Sequence, residues 1–462
     1  MSGEQFWLLR AVAGWSFYSN DVGGAYVKQN SPPQNGVPIP SKAVARLRSL
    51  AGDPLTRRNS RPVSLSEGAL ALLAIAASAM AQAQQARAHE PEIQGDRLAI
   101  SDPAAASAAM MASPLRQVPP GPPTDHRTMK LVKTIGGAIS PKSVNASGTG
   151  LVFAQNMMYR HTITVYDSAG ALLATIPDSV NLATLGVTGG PTVQGAPVEA
   201  AFTPDARYAY VSSYSMYGPG QGTPGSDFCT PGSAKAQGNM PSYVYRVDAM
   251  TLKVDQAIKV GLVRLVPKYL VVSPDGRYLL VSNWCSWDLY VVDVDKAMVV
   301  ADLAIGPYPR GIAVSPDSST AYVAIMGGAT LANVSLSNLA LKGSIPVGVN
   351  PRHVVMDPRG NYLYASLNSR GEVVKVDLAT EQVVGAAHTG WGCRSLAIST
   401  DGLSLYVVNY DSNSVTKLRT RDLAVLQTLP TGPNPVGVTY DPSTGDVWVG
   451  VYSGQILVFA DQ

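Results

Sequence analysis

The chain has 462 residues, of which 46% are hydrophobic and 15% charged, with 43 Gly and 34 Pro. This composition is typical of a turn-rich globular protein with a substantial core, and it excludes disorder throughout the chain. The formal net charge of +3 arises before residue 128, because residues 128–462 carry 23 Lys and Arg against 23 Asp and Glu. Bulk charge therefore gives no reason to expect nucleic acid as the main partner.

A secretory signal peptide is predicted at residues 57–83. The segment begins with Arg57, Arg58 and Arg61, continues with an apolar stretch and ends in small residues, which is the pattern that signal peptidase accepts. An apolar helix of the mature protein is the alternative. The apolar stretch is shorter than the roughly 20 residues that span a bilayer. We therefore expect a periplasmic or secreted protein without a transmembrane segment in the mature chain.

The segments on either side of this signal lack the patterning of a folded domain. Residues 1–56 show no sustained periodicity, and they are interpreted as an unstructured extension from an over-extended gene start. Residues 84–127 are rich in Ala and Pro and predict a flexible leader. The folded domain is predicted to be residues 128–462.

From residue 129 onward the chain is organised by a repeat. Runs of Val, Ile, Leu and Tyr alternate with turns such as Pro274-Asp275-Gly276, which predicts four short antiparallel strands in each copy. The last five copies start 42 residues apart, a period expected for the blades of a β-propeller. The nearly continuous apolar runs indicate strands buried on both faces. Seven copies begin, at residues 140, 196, 266, 308, 350, 392 and 434.

The seventh copy contains only three strand patterns before the chain ends. The segment "MKLVKTIGG" at residues 129–137 resembles the fourth-strand segments of other copies, so it can supply the missing strand and leave no open edge. The predicted fold is therefore all-β, a seven-bladed β-propeller of four-stranded antiparallel blades, with the last blade closed by an N-terminal strand.

The segments "SPDGRYLLVSN", "YVVNYDSNSVTKL" and "PRGIAV" resemble the repeats of YVTN-repeat, YncE-like β-propellers, and the resemblance covers residues 129–462. It is specific for architecture and implies the seven-bladed fold. For function it implies little, because related propellers are binding platforms, lactonases or lyases.

One position of the repeat is mostly cationic. It lies at the start of the first strand, which lines the central channel of a propeller, at the end called the top face. Like charges converging there repel one another unless carboxylates, water or a ligand compensate them. We therefore expect a basic funnel that binds an anionic small molecule or an acidic peptide; the alternative is that the side chains fan outward and pair with acidic loop residues. The position is occupied by Lys142, Val198, Lys268, Arg310, Arg352, Arg394 and Val436.

Other residues predicted at the funnel are Trp284, Trp391 and His353, which can add stacking surface and selectivity. They can equally be packing residues. A hydrolase or lyase of the lactonase type at the same funnel is the competing function, and a converging cluster of His, Glu and Arg would favour it. Because neither Glu199 nor Glu372 is expected to join the arginines, the sequence favours an exported binding or scaffold protein over an enzyme.

The sequence predicts neither a metal nor a cofactor. The five histidines have no metal-ligand spacing, and the glycine motif at residues 220–225 lies in a loop without the βαβ context of a dinucleotide site. Another protein remains a candidate partner, nucleic acid is disfavoured, and we expect a monomer.

The three cysteines are predicted to play different parts. Cys229 and Cys285 lie in equivalent top loops of the second and third copies, so an oxidising compartment favours a disulfide between them. Two unpaired thiols are the alternative. Cys393, three copies from Cys285, is expected to stay unpaired, and as a nucleophile it would need His353 as its base.

Overall fold

The computed structural model describes residues 122–157, 160–213, 242–261 and 266–462. The predicted signal peptide and most of the predicted leader lie outside these residues. In the separate unit Met1–Ala99 only two short antiparallel strand pairs are described. These pairs are Ser16–Ser19 with Ala25–Lys28, and Val37–Pro38 with Ser64–Leu65.

Seven four-stranded antiparallel sheets make up the second unit. The innermost strand of each sheet contacts the innermost strands of both neighbouring sheets, so the seven sheets form a closed ring around a central channel. The predicted seven-bladed β-propeller is thus confirmed. The blades are numbered 1 to 7 in the order of their innermost strands.

The strands of blades 1 to 7 are given in that order. The innermost strands are Ser143–Ala146, Pro197–Phe202, Pro267–Val272, Pro309–Val314, Pro351–Met356, Cys393–Ile398 and Pro435–Tyr440. The second strands are Leu151–Asn156, Tyr208–Ser213, Tyr278–Asn283, Thr320–Ile325, Tyr362–Leu367, Ser404–Asn409 and Val447–Val451. The third strands are Thr162–Asp167, Tyr243–Asp248, Asp288–Asp293, Thr330–Ser335, Glu372–Asp377, Ser414–Arg419 and Gln455–Asp461. The outermost strands are Leu172–Pro177, Lys253–Lys259, Met298–Ala304, Ala340–Pro346, Gln382–His388, Val425–Pro430 and Met129–Ile135.

Blade 7 is completed from the N-terminal end of the domain. Met129–Ile135 pairs antiparallel with Gln455–Asp461, and Thr128 N donates to Gln462 O at 2.8 Å. The first and last strands of the propeller therefore lie side by side in one sheet.

The core lies between the blades. Leu280 and Val291 of blade 3 pack in one buried cluster with Ile312 and Val323 of blade 4. Because both faces of a blade meet a neighbour, the inner strands are apolar along their length. The outermost strand Met298–Ala304 instead alternates between exposed and half-buried residues, as expected of a strand with one face towards solvent.

Packing begins before the predicted domain start at residue 128. A 3₁₀ turn, Thr124–His126, holds the buried Thr124 against blade 6, where its Oγ1 donates to Asp401 Oδ1 at 2.7 Å. Lys417 Nζ donates to Thr124 O at 2.7 Å and to Arg127 O at 3.0 Å. Local composition could not predict this, because the contacts join residues nearly 300 positions apart in the chain.

A second 3₁₀ turn, Leu182–Leu185, and a two-stranded sheet of Ser179–Asn181 and Thr192–Gln194 connect blades 1 and 2. Within the described residues, no helix has the length and apolar character needed to cross a membrane.

Candidate functional site: a basic ring above an axial cavity

The chain enters most innermost strands through a turn with left-handed backbone. Val266, Tyr308, Asn350, Gly392 and Asn434, each directly before an innermost strand, have φ between 53° and 67°. Non-glycine residues rarely adopt this conformation, so its repetition at one position marks a turn that the surrounding structure fixes. The second residue of each following strand is thereby held at the top of the channel.

Five cationic side chains occupy this level, and we call them the basic ring: Lys142, Lys268, Arg310, Arg352 and Arg394.

Four of the five members of the basic ring lie close enough to one another for their charges to interact. Lys142 lies within electrostatic range of Arg310, Arg352 and Arg394, although these residues belong to blades 1, 4, 5 and 6. Burial, and then repulsion from the three arginines, lowers the pKa of Lys142 to about 7, while Glu199 opposes the shift. Burial lowers the pKa of Arg352 well below its usual value, with further repulsion from Arg310 and Arg394.

Compensating carboxylates are scarce at the ring. Lys142 and Arg352 are only 7% and 9% exposed, and neither forms an ion pair with any carboxylate in the described part of the chain. Neither residue thus forms the ion pair with an acidic loop residue that the outward-pairing alternative requires. A buried charge without a partner destabilises the fold unless something else solvates it.

Aromatic side chains form the outer wall of the ring. The guanidinium of Arg310 lies 4.5 Å from the centre of the Trp284 ring, and Lys268 Nζ lies 5.2 Å from the same ring. The guanidinium of Arg394 lies 3.6 Å above Tyr410. These cation–π contacts hold the cations without neutralising them.

Tyr410 follows the second strand of its blade directly, as Trp284 does in blade 3. Trp284 was predicted at the funnel, whereas Tyr410 and Tyr452, which hold the same position in blades 6 and 7, were not. Alignment of the repeats on this position would have found both. Burial lowers the pKa of Arg394, whereas Tyr452 and Tyr410 act to raise it.

A second layer of polar residues lies one residue further along the innermost strands. Tyr269 Oη and His353 Nε2 are 2.9 Å apart, which joins blades 3 and 5 over Gly311 of blade 4. Since His353 Nδ1 accepts a hydrogen bond from Leu396 N at 3.1 Å, Nε2 carries the ring proton and donates to Tyr269. We call this pair the crossbar.

The crossbar imidazole is neutral at physiological pH. Burial, and then the positive charges of Lys142, Arg352 and Arg310, lower the pKa of His353 to about 3. With both ring nitrogens engaged, His353 has no free nitrogen to act as a base or to bind an anion.

Gly311 of blade 4 makes room for the crossbar. A Cβ atom at Gly311 would lie 2.8 Å from His353 Cα and 2.9 Å from His353 Cδ2. We expect Gly311→Ala to lower the free energy of unfolding by about 1–3 kcal/mol through overpacking, as measured by urea denaturation. Gly343→Ala is the matched control in the same blade, since its Cβ would meet nothing within 4 Å. Equal stability of the two variants would contradict the tight packing at the crossbar.

Below the basic ring the channel encloses a cavity of about 230 Å³. Its wall includes Glu199, Tyr269 and His353 of the second layer, together with Ser143 and Ser395. The serine hydroxyls donate to the backbone of the next blade, from Ser143 to Val198 O and from Ser395 to Val436 O.

Glu199 corrects one expectation. It was not expected to join the arginines, yet it lines the cavity and lies within electrostatic range of Lys142 and Arg310. Burial raises its pKa, and Lys142 opposes this shift. Glu372 does lie apart, paired with Arg370 at 2.8 Å.

Trp391, predicted at the funnel, is 59% exposed and packs on the ring of His388. No contact with the basic ring is recorded for it among the described residues. Trp284 and His353, in contrast, lie against the basic ring and in the layer below it.

Two of the three cysteines, Cys285 and Cys393, lie in the described residues. Cys229 lies outside the described residues, so the predicted Cys229–Cys285 bridge stays a prediction, although Cys285 itself is disulfide-bonded. Cys393 is a buried free thiol whose Sγ lies 3.1 Å from Glu372 O. Burial raises the pKa of this thiol to about 12, which makes it a poor nucleophile.

In the described ranges, no group of three or more His, Cys, Asp or Glu residues is arranged to hold a metal ion. The site is thus built from cations, aromatic rings and one buried carboxylate.

Fold and site together define a seven-bladed β-propeller with a basic ring at the top of its channel. No family model and no curated protein matches the sequence. Among solved structures, the chain is similar to Kuenenia stuttgartiensis hydrazine synthase, with a TM-score of 0.53 and 18% sequence identity over 70% of this chain and 96% of that chain. At this identity the similarity concerns the fold alone.

Proposed function

We propose that this protein is an exported β-propeller, of the YVTN-repeat type, that binds an anionic small molecule or an acidic peptide at the basic ring. One observation carries the proposal: Lys142 and Arg352 are more than nine-tenths buried and form no ion pair with a carboxylate in the part of the chain that the structure describes. A bound anion would supply the missing charge and hydrogen bonds.

Export is supported by two features. The segment at residues 57–83 has the pattern of a signal peptide, and Cys285 is disulfide-bonded, as is usual in oxidising compartments.

A hydrolase or lyase is the second candidate, favoured by Glu199. A buried carboxyl with a raised pKa beside a cavity can act as a general acid or base. Binding is nevertheless favoured, because both ring nitrogens of His353 are engaged, so that this imidazole cannot serve as an acid or base.

Titration calorimetry tests the proposal. Phosphate, citrate and a short oligoglutamate peptide are titrated into the protein at low and high salt. We expect binding of at least one of them, weakened by salt because charged contacts are screened. Absence of binding by all three at low salt would overturn the proposal.

The same experiment has an expected pH dependence. In the free protein the pKa of Lys142 is about 7, and a bound anion raises it because the anion stabilises the charged form. Above pH 7 Lys142 must therefore take up a proton on binding, whereas below pH 7 it is already charged. We expect affinity to fall by up to about tenfold per pH unit as the pH rises from 7.

Lys142→Met should flatten this profile, while Lys130→Met, on the exposed face of the outermost strand of blade 7, should keep it. Glu199 contributes to the same pH dependence. Its protonation at lower pH removes a negative charge, which also increases the affinity for an anion. An affinity that rises between pH 7 and pH 9 would contradict the assignment.

A further inference from the structure

We propose that Met326 is an oxidation site that controls the basic ring. A peroxide converts its thioether to the sulfoxide, whose oxygen accepts a hydrogen bond from Arg352 in place of the anion. The loss of anion binding rests on the proposed function, whereas the contact between Met326 and Arg352 is independent of any ligand. The sulfur atom that the structure places against this arginine is the basis of the assignment.

Arg352 has a weak hydrogen-bond acceptor. Its Nη1 lies 3.7 Å from Met326 Sδ, and no other acceptor of this guanidinium is recorded within the described residues. The Arg352 side chain is 9% exposed and forms no ion pair in those residues. Because a thioether accepts hydrogen bonds only weakly, the protein solvates this buried charge poorly. A stronger acceptor at the same place would stabilise it.

Met326 holds the wall position of blade 4. It follows the second strand Thr320–Ile325 directly, as Trp284 and Tyr410 follow the second strands of blades 3 and 6. Those two aromatic rings lie against cations of the basic ring. In blade 4 a thioether replaces the aromatic ring, and a thioether is readily converted by oxidation into a polar group. The sulfur is thus the oxidisable member of the wall.

The backbone of Met326 is fixed on both sides. Met326 N donates to Tyr308 O at 3.2 Å, and Met326 O accepts a hydrogen bond from Asn350 Nδ2 at 2.9 Å. Asn350 directly precedes the innermost strand that carries Arg352, so the two side chains are held side by side. Met326 is half-buried, which leaves it accessible to a small oxidant.

Hydrogen peroxide is a sufficient oxidant for the step. A sulfur lone pair forms the new S–O bond while the O–O bond breaks, so that sulfur loses two electrons and the peroxide gains them. The departing oxygen takes up the proton of the transferred oxygen and leaves as water. The product is a polar sulfoxide, and its oxygen can reach Arg352 Nη1. A donor of Arg352 engaged in this way is lost to an anion.

Calorimetry before and after peroxide treatment tests the proposal, with phosphate, citrate and the oligoglutamate peptide as probes. Mass spectrometry of peptides measures the oxidation of Met326. We expect full oxidation there to weaken each anion that the untreated protein binds by about tenfold or more, the effect of one charged hydrogen bond lost. Methionine sulfoxide reductases for both sulfoxide epimers should restore the affinity. Unchanged affinity after full oxidation, or a Met326 that resists peroxide, would overturn the proposal.

Substitutions of Met326 separate its sulfur from the other methionines. Met326→Leu should make the anion affinity insensitive to peroxide, and Met326→Gln, with a permanent carbonyl acceptor, should bind as weakly as the oxidised wild type. Met298→Leu is the matched control, because Met298 is 52% exposed on the outermost strand of blade 3. This control should lose affinity on oxidation as the wild type does. A loss that persists in Met326→Leu would assign the effect to another residue and contradict the proposal.

Thermal melts test the contact with Arg352 without a ligand. Met326→Gln should melt at least about 2 °C above Met326→Leu, because its carbonyl oxygen accepts a hydrogen bond from the buried guanidinium. An equal or lower melting temperature would overturn the proposal. Absence of binding by all three anions to the untreated protein would instead overturn the proposed function, and the melts would still decide whether Arg352 lacks a strong acceptor.

Discussion

Replacement of Lys417 by Met is expected to lower the free energy of unfolding by about 3–5 kcal/mol, the usual cost of removing one partner from a buried ion pair. Lys417 and Asp461 are fully buried and form an ion pair of 2.5 Å. The same ammonium group donates to the carbonyls of Thr124 and Arg127. The variant leaves one carboxylate without its counter-charge and two carbonyls without this donor. Urea denaturation, followed by fluorescence, measures the loss.

Lys296→Met is the matched control. Lys296 pairs with Asp293 at 2.7 Å, but its side chain is 64% exposed, and exposed pairs contribute about 0–1 kcal/mol. If the two variants lose the same stability, Lys417 does not hold the N-terminal segment against blades 6 and 7.

The double substitution Arg310→Gln and Arg352→Gln is expected to weaken anion binding by about 1.5–3 kcal/mol for each charged hydrogen bond lost. Folding should persist, because the repulsion that lowers the pKa of Arg352 comes in part from Arg310 and disappears in the variant. Calorimetry gives the affinity, and a thermal melt of the free protein gives the stability.

Arg277→Gln with Arg359→Gln makes the same change in net charge at the opposite end of the channel, in the turns after the innermost strands of blades 3 and 5. This control should bind the anion as the wild type does. A large fall in melting temperature of the Arg310 and Arg352 variant, together with no anion binding by the wild type, would mean that the arginines serve folding alone.

Much of the fold could be predicted from the sequence because the pattern of strands and turns occurs in seven copies. The last five copies repeat their turns and apolar runs at a spacing of 42 residues, so an error in reading one copy is corrected by the others. The basic ring was found for the same reason, since its residues share one position in the repeat.

The roles of residues that depart from the repeat, or that act through contacts distant in the chain, could not be predicted. Glu199 is acidic where the other copies have Ser, Tyr, Gly or His, and its importance depends on burial beside Lys142. The crossbar joins blades 3 and 5 across Gly311, a contact that no local pattern encodes. Lys417 lies in an ordinary third strand, and its partners come from both ends of the domain.

The position of Met129–Ile135 beside the last strand has a consequence for the order in which the chain folds during synthesis. Blades 1 to 6 each consist of consecutive strands, so each can form as soon as its own residues emerge. Blade 7 has to wait, because Thr128 and Gln462 are 334 residues apart and contacts of such separation form slowly. The first strand therefore stays an unpaired edge until Gln455–Asp461 has emerged, and a chain that stops before this strand keeps that edge open to aggregation.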